Sequence, residues 1–207
     1  MVSIFRNLKR FLYLISPNKI SLNFNIELDK VLASKKVSFF QLRLKNKSQN
    51  DIIRIAKKIK VITKKYKVKL IINDSSIVAK KVKADGCHIG QKDGSIELAR
   101  KNIKSKIIGV TCHGSRKLAL AACRDKADYV AFGSFFKSNL KPNAKKIDLK
   151  ILNWAKKNIK KPIVVIGGIN DKNYKKLIKA GANYIAISTF IWNNPFLKPE
   201  IAIKKFI

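Results

Sequence analysis

Residues 37–74 read VSFFQLRLKNKSQNDIIRIAKKIKVITKKYKVKLIIND. β-Branched and aromatic residues at the two ends of this stretch predict strands over Val37–Leu44 and Lys69–Asp74. The lysine-rich segment between them, residues 49–65, has the pattern of a helix, with Ser48 as its N-cap and an acid, Asp51, in its first turn. A strand, a helix and a second strand in this order predict a βαβ unit with parallel strands.

The same alternation runs along the whole chain. Further strands are predicted over Phe11–Ser16, Gly86–Gly90, Lys106–Thr111, Tyr129–Gly133, Pro162–Gly168 and Tyr184–Ser188. Further helices are predicted over residues 25–33, 75–82, 95–103, 115–126, 147–159, 171–180 and 199–207. Eight strands alternating with eight helices, with no GxGxxG after the first strand, favour a closed barrel over an open sheet. We therefore predict an α/β fold, a single-domain (β/α)8 TIM barrel over residues 1–207.

A short turn recurs between helices and strands. Ala84-Asp85-Gly86, Ala127-Asp128-Tyr129 and Ala182-Asn183-Tyr184 occupy equivalent places in three of the predicted units. Asp and Asn are common turn residues because their side chains bond nearby backbone groups. We therefore interpret Asp85 and Asp128 as structural residues rather than catalytic ones.

The net charge of +34 is the most unusual property of the composition. A polyanion such as nucleic acid is one partner that such a charge favours. However, the lysines are spread over every predicted helix, and arginine, which pairs better with phosphate, is scarce. The arginines are Arg6, Arg10, Arg43, Arg54, Arg100, Arg116 and Arg124. We therefore expect no specific nucleic-acid partner, and no sequence feature points to an oligomeric state.

The N-terminal region and the cysteines bear on location. Three cations precede the apolar residues 11–16, which faintly resemble a signal peptide, but the apolar run is too short and lacks a cleavage site. No apolar run is long enough to span a membrane. Cys87, Cys112 and Cys123 are odd in number and form no CxxC. We expect a cytoplasmic protein without structural disulfides.

Polar residues gather at the ends of the predicted strands, where a TIM barrel carries its chemistry. Gln41, Arg43 and Lys45 share one face of the second strand because side chains alternate with period two. Two cations facing the barrel mouth would be expensive to desolvate without an anionic partner. The alternative is a misplaced strand end with solvated charges.

Two carboxylates follow neighbouring strands. Asp74 follows Asn73 at the end of the third strand, and Asp93 follows the fourth, in a chain with 12 acidic residues. Two carboxylates opposite an Arg/Lys cluster suit a Mg²⁺ ion that bridges to a diphosphate. The alternative for each aspartate alone is a helix N-cap.

Further candidates follow the fifth to eighth strands. Thr111 could present a hydroxyl to a ligand, and His113 is a candidate general base or a loop residue. The neighbours Cys87-His88 and Cys112-His113 point to opposite strand faces, which argues against zinc. The long polar loop of residues 137–146 is a candidate phosphate-binding lid. Small residues after the last two strands, including Gly168, Ser188 and Thr189, form the usual phosphate cradle of such barrels.

These motifs together resemble one enzyme family. QLRLK, IIND, ADGCHIGQKD, GVTCH, ADYVAFGSFF, VVIGGI and GANYIAIS occur in the order found in thiamine phosphate synthases. The resemblance extends from Phe11 to about Pro195. It implies a transferase that joins a pyrimidine diphosphate to a thiazole phosphate and releases pyrophosphate, through a pyrimidine carbocation that the thiazole nitrogen captures.

The resemblance also implies a role for each site residue. Asp74 and Asp93 would hold Mg²⁺, and Thr111 stands where the family usually has serine. Gly168, Ser188 and Thr189 would bind the thiazole phosphate through backbone amides. The pyrimidine diphosphate would be surrounded by Gln41, Arg43, Lys45, Asn73 and Lys141, the last reaching the leaving group when the lid closes.

One stretch departs from the family pattern, which commonly reads Gly-Pro-x-x-Pro-Thr-x-Thr-Lys. Ser134 and Lys137 replace the two prolines. Ser138 and Leu140 replace two threonines that help to bind the thiazole substrate in the family. Ser138 keeps a hydroxyl and Leu140 does not, so the choice of thiazole depends on this loop.

Two other functions compete with this interpretation. A related thiazole tautomerase shares the barrel and the phosphate cradle but typically lacks the diphosphate lysine and the full HxGQxD motif, so Lys45, Asp74 and Asp93 favour the synthase. A barrel that has lost catalysis and binds nucleic acid is the second alternative. The intact set Arg43, Lys45, Asp74, Asp93 and Lys141 argues against it.

Overall fold

The computed structural model describes residues 11–137 and 145–206. Its centre is a closed barrel of parallel strands in the order β1 to β8, with β8 pairing back to β1. The strands are β1 Leu12–Ile15, β2 Val37–Leu42, β3 Lys69–Asn73, β4 Gly86–Ile89, β5 Ile107–His113, β6 Tyr129–Gly133, β7 Ile163–Ile166 and β8 Tyr184–Ile187. The predicted (β/α)8 barrel is confirmed.

Helices follow each strand around the outside of the barrel. Within the described residues they are α1 Phe24–Leu32, α2 Gln49–Lys65, α3 Ser76–Lys81, α4 Ile96–Ile103, α5 Arg116–Arg124, α6 Lys150–Asn158, α7 Tyr174–Lys179, α8 Thr189–Trp192 and α9 Pro199–Ala202. A 3-10 turn over Ile203–Lys205 continues α9. Among these helices, none is long and apolar enough to cross a membrane.

The ends of α2 and α7 follow from local sequence signals. The Ser48 hydroxyl accepts a hydrogen bond from the Asp51 backbone N–H, so it caps α2 as predicted. Gly181 has a φ of +114°, and its N–H bonds to the Ile178 carbonyl just after α7. This is the left-handed conformation that ends helices and that glycine adopts without a steric penalty.

Several elements differ from the sequence prediction in their bounds; for example, α6 begins at Lys150 rather than residue 147, and α7 at Tyr174 rather than residue 171. β2 ends at Leu42 rather than Leu44, because the Arg43 N–H bonds to the Ser16 hydroxyl instead of a neighbouring strand. The chain after β8 forms two short helices, α8 and α9, where one helix over residues 199–207 was predicted.

The barrel separates two apolar cores. Large side chains such as Tyr13, Phe39, Ile71 and Tyr129 fill its interior, and a larger cluster packs between the strands and the helices. Successive strand residues alternate between the two cores, as the pleat requires. The carboxyl ends of all eight strands consequently open on one face.

The recurring αβ turn fixes the opposite face. The Asp85 carboxylate accepts the Leu70 N–H at 2.9 Å. The Asp128 carboxylate accepts the Ile108 N–H at 2.9 Å, and the Asn183 carbonyl oxygen accepts the Ile163 N–H at 2.8 Å. Each side chain thus pairs a backbone donor of the preceding strand, which confirms that Asp85 and Asp128 are structural.

Candidate active site

One cavity of about 1120 Å³ occupies the open face at the carboxyl ends of the strands. Its volume is sufficient for small organic substrates. Ten of the residues predicted from the sequence line it: Gln41, Arg43, Lys45, Asn73, Asp74, Asp93, Thr111, Gly168, Ser188 and Thr189. The remaining two, Ser138 and Lys141, lie outside the described residues, as does Leu140.

The end of β2 delivers polar side chains into this cavity. Gln41 is buried inside the barrel, and its amide nitrogen donates to the Tyr13 hydroxyl at 2.9 Å. Arg43 is half-buried at the wall, and Lys45 is exposed at the mouth. Leu42 and Leu44 pack in the outer core, so the predicted period-two alternation holds beyond the end of the strand.

Arg43 is held by residues that follow β1. The Ser16 hydroxyl accepts the Arg43 N–H at 2.9 Å, and the guanidinium donates to the Asn18 side-chain oxygen at 2.9 Å. Burial lowers the pKa of Arg43 and the Asp74 carboxylate raises it. A guanidinium stays charged under these conditions, so Arg43 offers a fixed positive charge to an anion.

Asp74 and Asp93 meet on the adjacent wall. The pKa of Asp74 is raised to about 6, first because burial disfavours the charged carboxylate and then because the Asp93 carboxyl lies within hydrogen-bonding distance. Lys45 and Arg43 oppose this shift. Asp93 is fixed by the Gly90 N–H, which donates to it at 2.9 Å. The site therefore holds two carboxylates at close range beside two cations.

In the structure, neither Asp74 nor Asp93 is the N-cap of the helix that follows it. The helix that follows β3 is capped by Ser75, whose hydroxyl accepts the Val78 N–H. The helix that follows β4 is capped by Ser95, whose hydroxyl accepts the Leu98 N–H. Asp74 instead adopts a φ of +64°, an uncommon backbone conformation that directs it toward the cavity wall.

Thr111 lies beside a buried histidine. Its hydroxyl is 2.8 Å from His88 Nε2, and its carbonyl oxygen accepts the Gln91 side-chain amide. His88 faces the barrel interior, whereas its neighbour Cys87 lies in the outer core, so these two side chains diverge. His113 is exposed at the rim of the cavity.

Gly168 shapes the wall after β7. It has a φ of +60°, and a Cβ atom there would overlap the Lys137 carbonyl oxygen and approach Phe136 Cβ to 2.8 Å. The residue must therefore be glycine for the start of the 137–146 loop to pack against the barrel. Ser188 and Thr189 line the same side, and the Ser188 hydroxyl donates to the Ser16 carbonyl oxygen at 3.1 Å.

The sequence prediction missed several residues that build the cavity. Ser16 was included only as the end of a strand, although it ties β1 to Arg43 and to Ser188. Tyr13 and Tyr129 lie within predicted strands that assign them no further role, yet their hydroxyls are 2.8 Å apart under the cavity floor. A signal was present, because polar hydroxyls at inward strand positions need partners when buried.

The comparisons with known proteins agree with this geometry. The sequence model of the family described as thiamine monophosphate synthase matches residues 12–191. The chain is 54% identical over 198 residues to the thiamine-phosphate synthase of Pelagibacter ubique, covering 95% of this chain and 96% of that protein. It is 41% identical over 187 residues to that of Erythrobacter litoralis, covering 88% of each.

A solved structure extends the likeness to the fold. The thiamine phosphate pyrophosphorylase of Pyrococcus furiosus superposes with a TM-score of 0.85 at 28% identity, covering 97% of this chain and 94% of that one. The family match spans most of the chain, and the 54% and 41% identities extend over nearly its whole length. The chain therefore belongs to the thiamine-phosphate synthase family of transferases.

Proposed function

We propose that this chain joins a 4-amino-2-methyl-5-hydroxymethylpyrimidine diphosphate to a thiazole phosphate, giving thiamine monophosphate and pyrophosphate. The observation that carries the proposal is the meeting of Arg43 and Lys45 with Asp74 and Asp93 at the wall of one cavity. Cations beside paired carboxylates suit a metal-bound diphosphate leaving group. The relatives in Pelagibacter ubique and Erythrobacter litoralis carry the synthase name, which favours this reaction over the tautomerase.

The residues present fit Mg²⁺. Asp74 and Asp93 supply hard oxygen ligands, and their mutual repulsion contributes to the raised pKa of Asp74. A divalent cation would remove that repulsion. The described residues contain no cluster of three or more acidic, histidine or cysteine side chains that could hold a metal, so these two would share the ion with diphosphate oxygens and water. When bound, Mg²⁺ would neutralise charge on the departing diphosphate.

In the proposed reaction, Arg43 and Lys45 bind the diphosphate, and Asn73 and Gln41 orient the pyrimidine. The carbon–oxygen bond breaks with its electron pair leaving on pyrophosphate, and the thiazole nitrogen donates its lone pair to the resulting carbocation. No proton transfer is needed, which accords with a wall rich in charges rather than in acid–base pairs. Electrostatic stabilisation and positioning are the main contributions of such a site.

The second substrate occupies the opposite wall in this proposal. Backbone N–H groups of Gly168, Ser188 and Thr189 bind the thiazole phosphate. Ser138 contacts the thiazole, and Lys141 reaches the leaving group from the 137–146 loop. Both assignments rest on the resemblance alone. The free Cys87, Cys112 and Cys123 support a reducing compartment such as the cytoplasm.

The test is to incubate the pure protein with both precursors and Mg²⁺ and to measure thiamine monophosphate and pyrophosphate. We expect stoichiometric formation of both products and none in excess chelator. Asp93→Ala should lower turnover about 10²-fold or more. Asp125→Ala, in the turn after α5 at the far end of the barrel, is the matched control and should leave turnover unchanged. Product formation in excess chelator would contradict the metal assignment, and consumption of the thiazole without pyrophosphate release would point to the tautomerase.

A further inference from the structure

A continuous line of hydrogen bonds crosses the barrel interior and ends at the cavity. The Gln41 amide nitrogen lies 2.9 Å from the Tyr13 hydroxyl, which lies 2.8 Å from the Tyr129 hydroxyl. The Tyr129 hydroxyl lies 2.9 Å from His88 Nδ1, and His88 Nε2 lies 2.8 Å from the Thr111 hydroxyl. We call these five residues the relay. Tyr13 and Tyr129 are 1% exposed, whereas Thr111 is half-buried at the cavity wall.

The barrel interior leaves space for these hydrogen-bonded side chains. A Cβ atom at Gly109 on β5 would overlap the Tyr129 ring and hydroxyl, so the strand carries glycine where the phenol crosses the barrel. The Tyr129 ring stacks on the His88 ring, with centroids 5.6 Å apart and an interplanar angle of 19°. Burial raises the pKa of Tyr13 and of Tyr129 far above the ordinary value, so both phenols keep their hydrogens.

The donors and acceptors give the relay a direction. An amide nitrogen only donates, so the Tyr13 oxygen accepts from Gln41. Tyr13 also has one hydrogen to place on an acceptor, and of its two partners among the described residues only the Tyr129 oxygen can accept it. Tyr129 in turn donates to His88 Nδ1, which must be unprotonated to accept. His88 therefore carries its hydrogen on Nε2 and donates it to Thr111.

On the basis of the proposed function, we propose that the relay fixes His88 as the neutral Nε2–H tautomer. Thr111 thereby presents its hydroxyl hydrogen to the pyrimidine diphosphate. Since the Thr111 oxygen accepts from His88, its hydrogen is left to point into the cavity. The site then selects a substrate with an acceptor atom there, a ring nitrogen or a diphosphate oxygen, rather than a donor. Tyr13, Tyr129 and His88 are positioning residues that act through Thr111.

The opposite direction would give a different site. If the Gln41 amide were turned over, its oxygen would accept from Tyr13, and every hydrogen in the relay would reverse. His88 would then carry its hydrogen on Nδ1, and the Thr111 hydroxyl would donate its hydrogen bond to His88 Nε2. Only an acceptor would face the substrate. The tautomer of His88 therefore reports the direction of the whole relay.

The first measurement needs no substrate and does not depend on the proposed reaction. The chain has two histidines, so protein labelled with ¹⁵N-histidine gives signals from His88 and His113 only. His113→Gln assigns them. Long-range ¹H–¹⁵N correlation identifies Nε2, which couples strongly to both carbon-bound ring protons. We expect a protonated Nε2 and an unprotonated Nδ1 for His88 at neutral pH. A protonated Nδ1, alone or together with Nε2, would overturn the proposal.

Two phenol variants separate the relay from general packing. Tyr129→Phe keeps the ring and removes the donor to Nδ1, so His88 should shift to a mixture of tautomers. Tyr184→Phe is the matched control, since Tyr184 lies in the same inner cluster and is not a member of the relay. It should leave the His88 signals unchanged. Identical spectra for Tyr129→Phe and the unsubstituted protein would show that the relay does not set the tautomer.

The kinetic measurement tests the link to the substrate. Thr111→Ser keeps the hydroxyl and should retain kcat/KM for the pyrimidine diphosphate. Thr111→Val should lower it about tenfold, as expected for one lost hydrogen bond, and should leave the KM for the thiazole phosphate unchanged. Equal kcat/KM for both variants would overturn the role of Thr111. If the unsubstituted protein makes no thiamine monophosphate, the proposed function fails, while the tautomer still decides the direction of the relay.

Discussion

At the scale of single residues, the conformation and surroundings of Asp74 lower the stability of the folded protein. It adopts a positive φ, it is half-buried, and it lies beside Asp93. Each of these features costs free energy, and none contributes a contact that the barrel requires. Such a residue is explained by binding rather than by stability, since a cation between the two carboxylates would remove the repulsion.

We predict that Asp74→Asn stabilises the metal-free protein at pH 7.5 while it lowers turnover about 10²-fold. Asparagine adopts a positive φ readily, so the backbone is not strained further. The folded pKa of about 6 lies above the ordinary 3.8, so the folded state holds this proton more tightly than the unfolded one. Ionisation therefore penalises folding as pH rises from about 4 to 6, and the penalty is complete above that range.

The expected gain is on the order of 1 kcal/mol after solvent screening of a half-exposed carboxyl is discounted, or roughly 2–4 °C in Tm. Thermal unfolding in chelator from pH 4 to pH 8 measures it. The gain should be nearly lost at pH 4, where Asp74 is protonated in the folded state and about half protonated in the unfolded state. Asp125→Asn, at an exposed carboxylate on the opposite face of the barrel, is the matched control and should leave Tm nearly unchanged. A Tm that is lower for Asp74→Asn at every pH would refute this account.

The residues of the site differ in how far the sequence could predict them. Gln41, Arg43 and Lys45 follow from the period-two pattern of one strand, a local property. The meeting of Tyr13 with Tyr129 joins residues 116 positions apart, and no local pattern contains it. The sequence could show that these hydroxyls need partners. Only the closure of the barrel shows which ones they have.

Among the elements, the αβ turns carry more stability than their length implies. The Asp128 carboxylate, 14% exposed, accepts the Ile108 N–H and also the Arg100 guanidinium at 2.8 Å. It therefore joins the helix before β5 to the start of β5 and to its own turn. Three turns of this form repeat around the barrel, which is why the sequence predicted them together.

We predict that Asp128→Ala destabilises the protein by about 1–3 kcal/mol, because the Ile108 N–H loses its acceptor and the Arg100 guanidinium loses its carboxylate partner while keeping its backbone acceptors. Thermal unfolding should show a fall of roughly 2–4 °C in Tm for each kcal/mol. Turnover at 25 °C should not change, since the turn lies opposite the cavity. The matched control is Asp125→Ala, whose exposed carboxylate pairs only with its neighbour Arg124 among the described ion pairs. An equal effect of the two substitutions would make Asp128 an ordinary surface charge.

The helices illustrate which elements a sequence predicts well. The bounds of α2 were predicted to the residue, because its 17 residues repeat the helical period and Ser48 caps it. α8 has four residues, about one turn, and no period can be recognised over that length. The early end of β2 was missed for another reason. It depends on Ser16, the residue just after β1, which the sequence of β2 does not contain.

The loop after β7 gives a prediction that separates backbone strain from crowding. Gly168→Ala should raise the KM for the thiazole phosphate about tenfold, because the new Cβ would displace Lys137 and Phe136 at the cavity wall. Gly94→Ala shares the cost of a positive φ but meets open space, with its nearest contact at 4.0 Å. Steady-state kinetics with each substrate varied in turn compares them. A similar KM for both variants would mean that the wall after β7 does not contact this substrate.

For the whole molecule, the charge of +34 is the property that the fold does not require. Exposed lysines occur on opposite parts of the barrel surface, for example Lys57 and Lys64 on α2 and Lys156 and Lys157 on α6. A single positive face would concentrate an anionic partner on one side of the molecule. A diffuse distribution instead binds any polyanion weakly and at no fixed position along its sequence, because each contact is with a phosphate rather than a base.

We therefore predict weak binding to duplex DNA, with a dissociation constant of about 10⁻⁴–10⁻⁶ M at physiological salt, no sequence preference, and a steep loss of affinity as salt rises. Fluorescence anisotropy with two unrelated labelled duplexes over a salt series measures all three properties.

Two double variants test the diffuse distribution: Lys57→Gln with Lys64→Gln, and Lys156→Gln with Lys157→Gln. Each removes two charges from a different helix, so both should weaken binding by the same factor and reduce the salt dependence equally. If one pair abolishes binding while the other has no effect, or if one duplex is strongly preferred, the charge forms a dedicated nucleic-acid surface. The barrel would then have a second partner besides its small-molecule substrates.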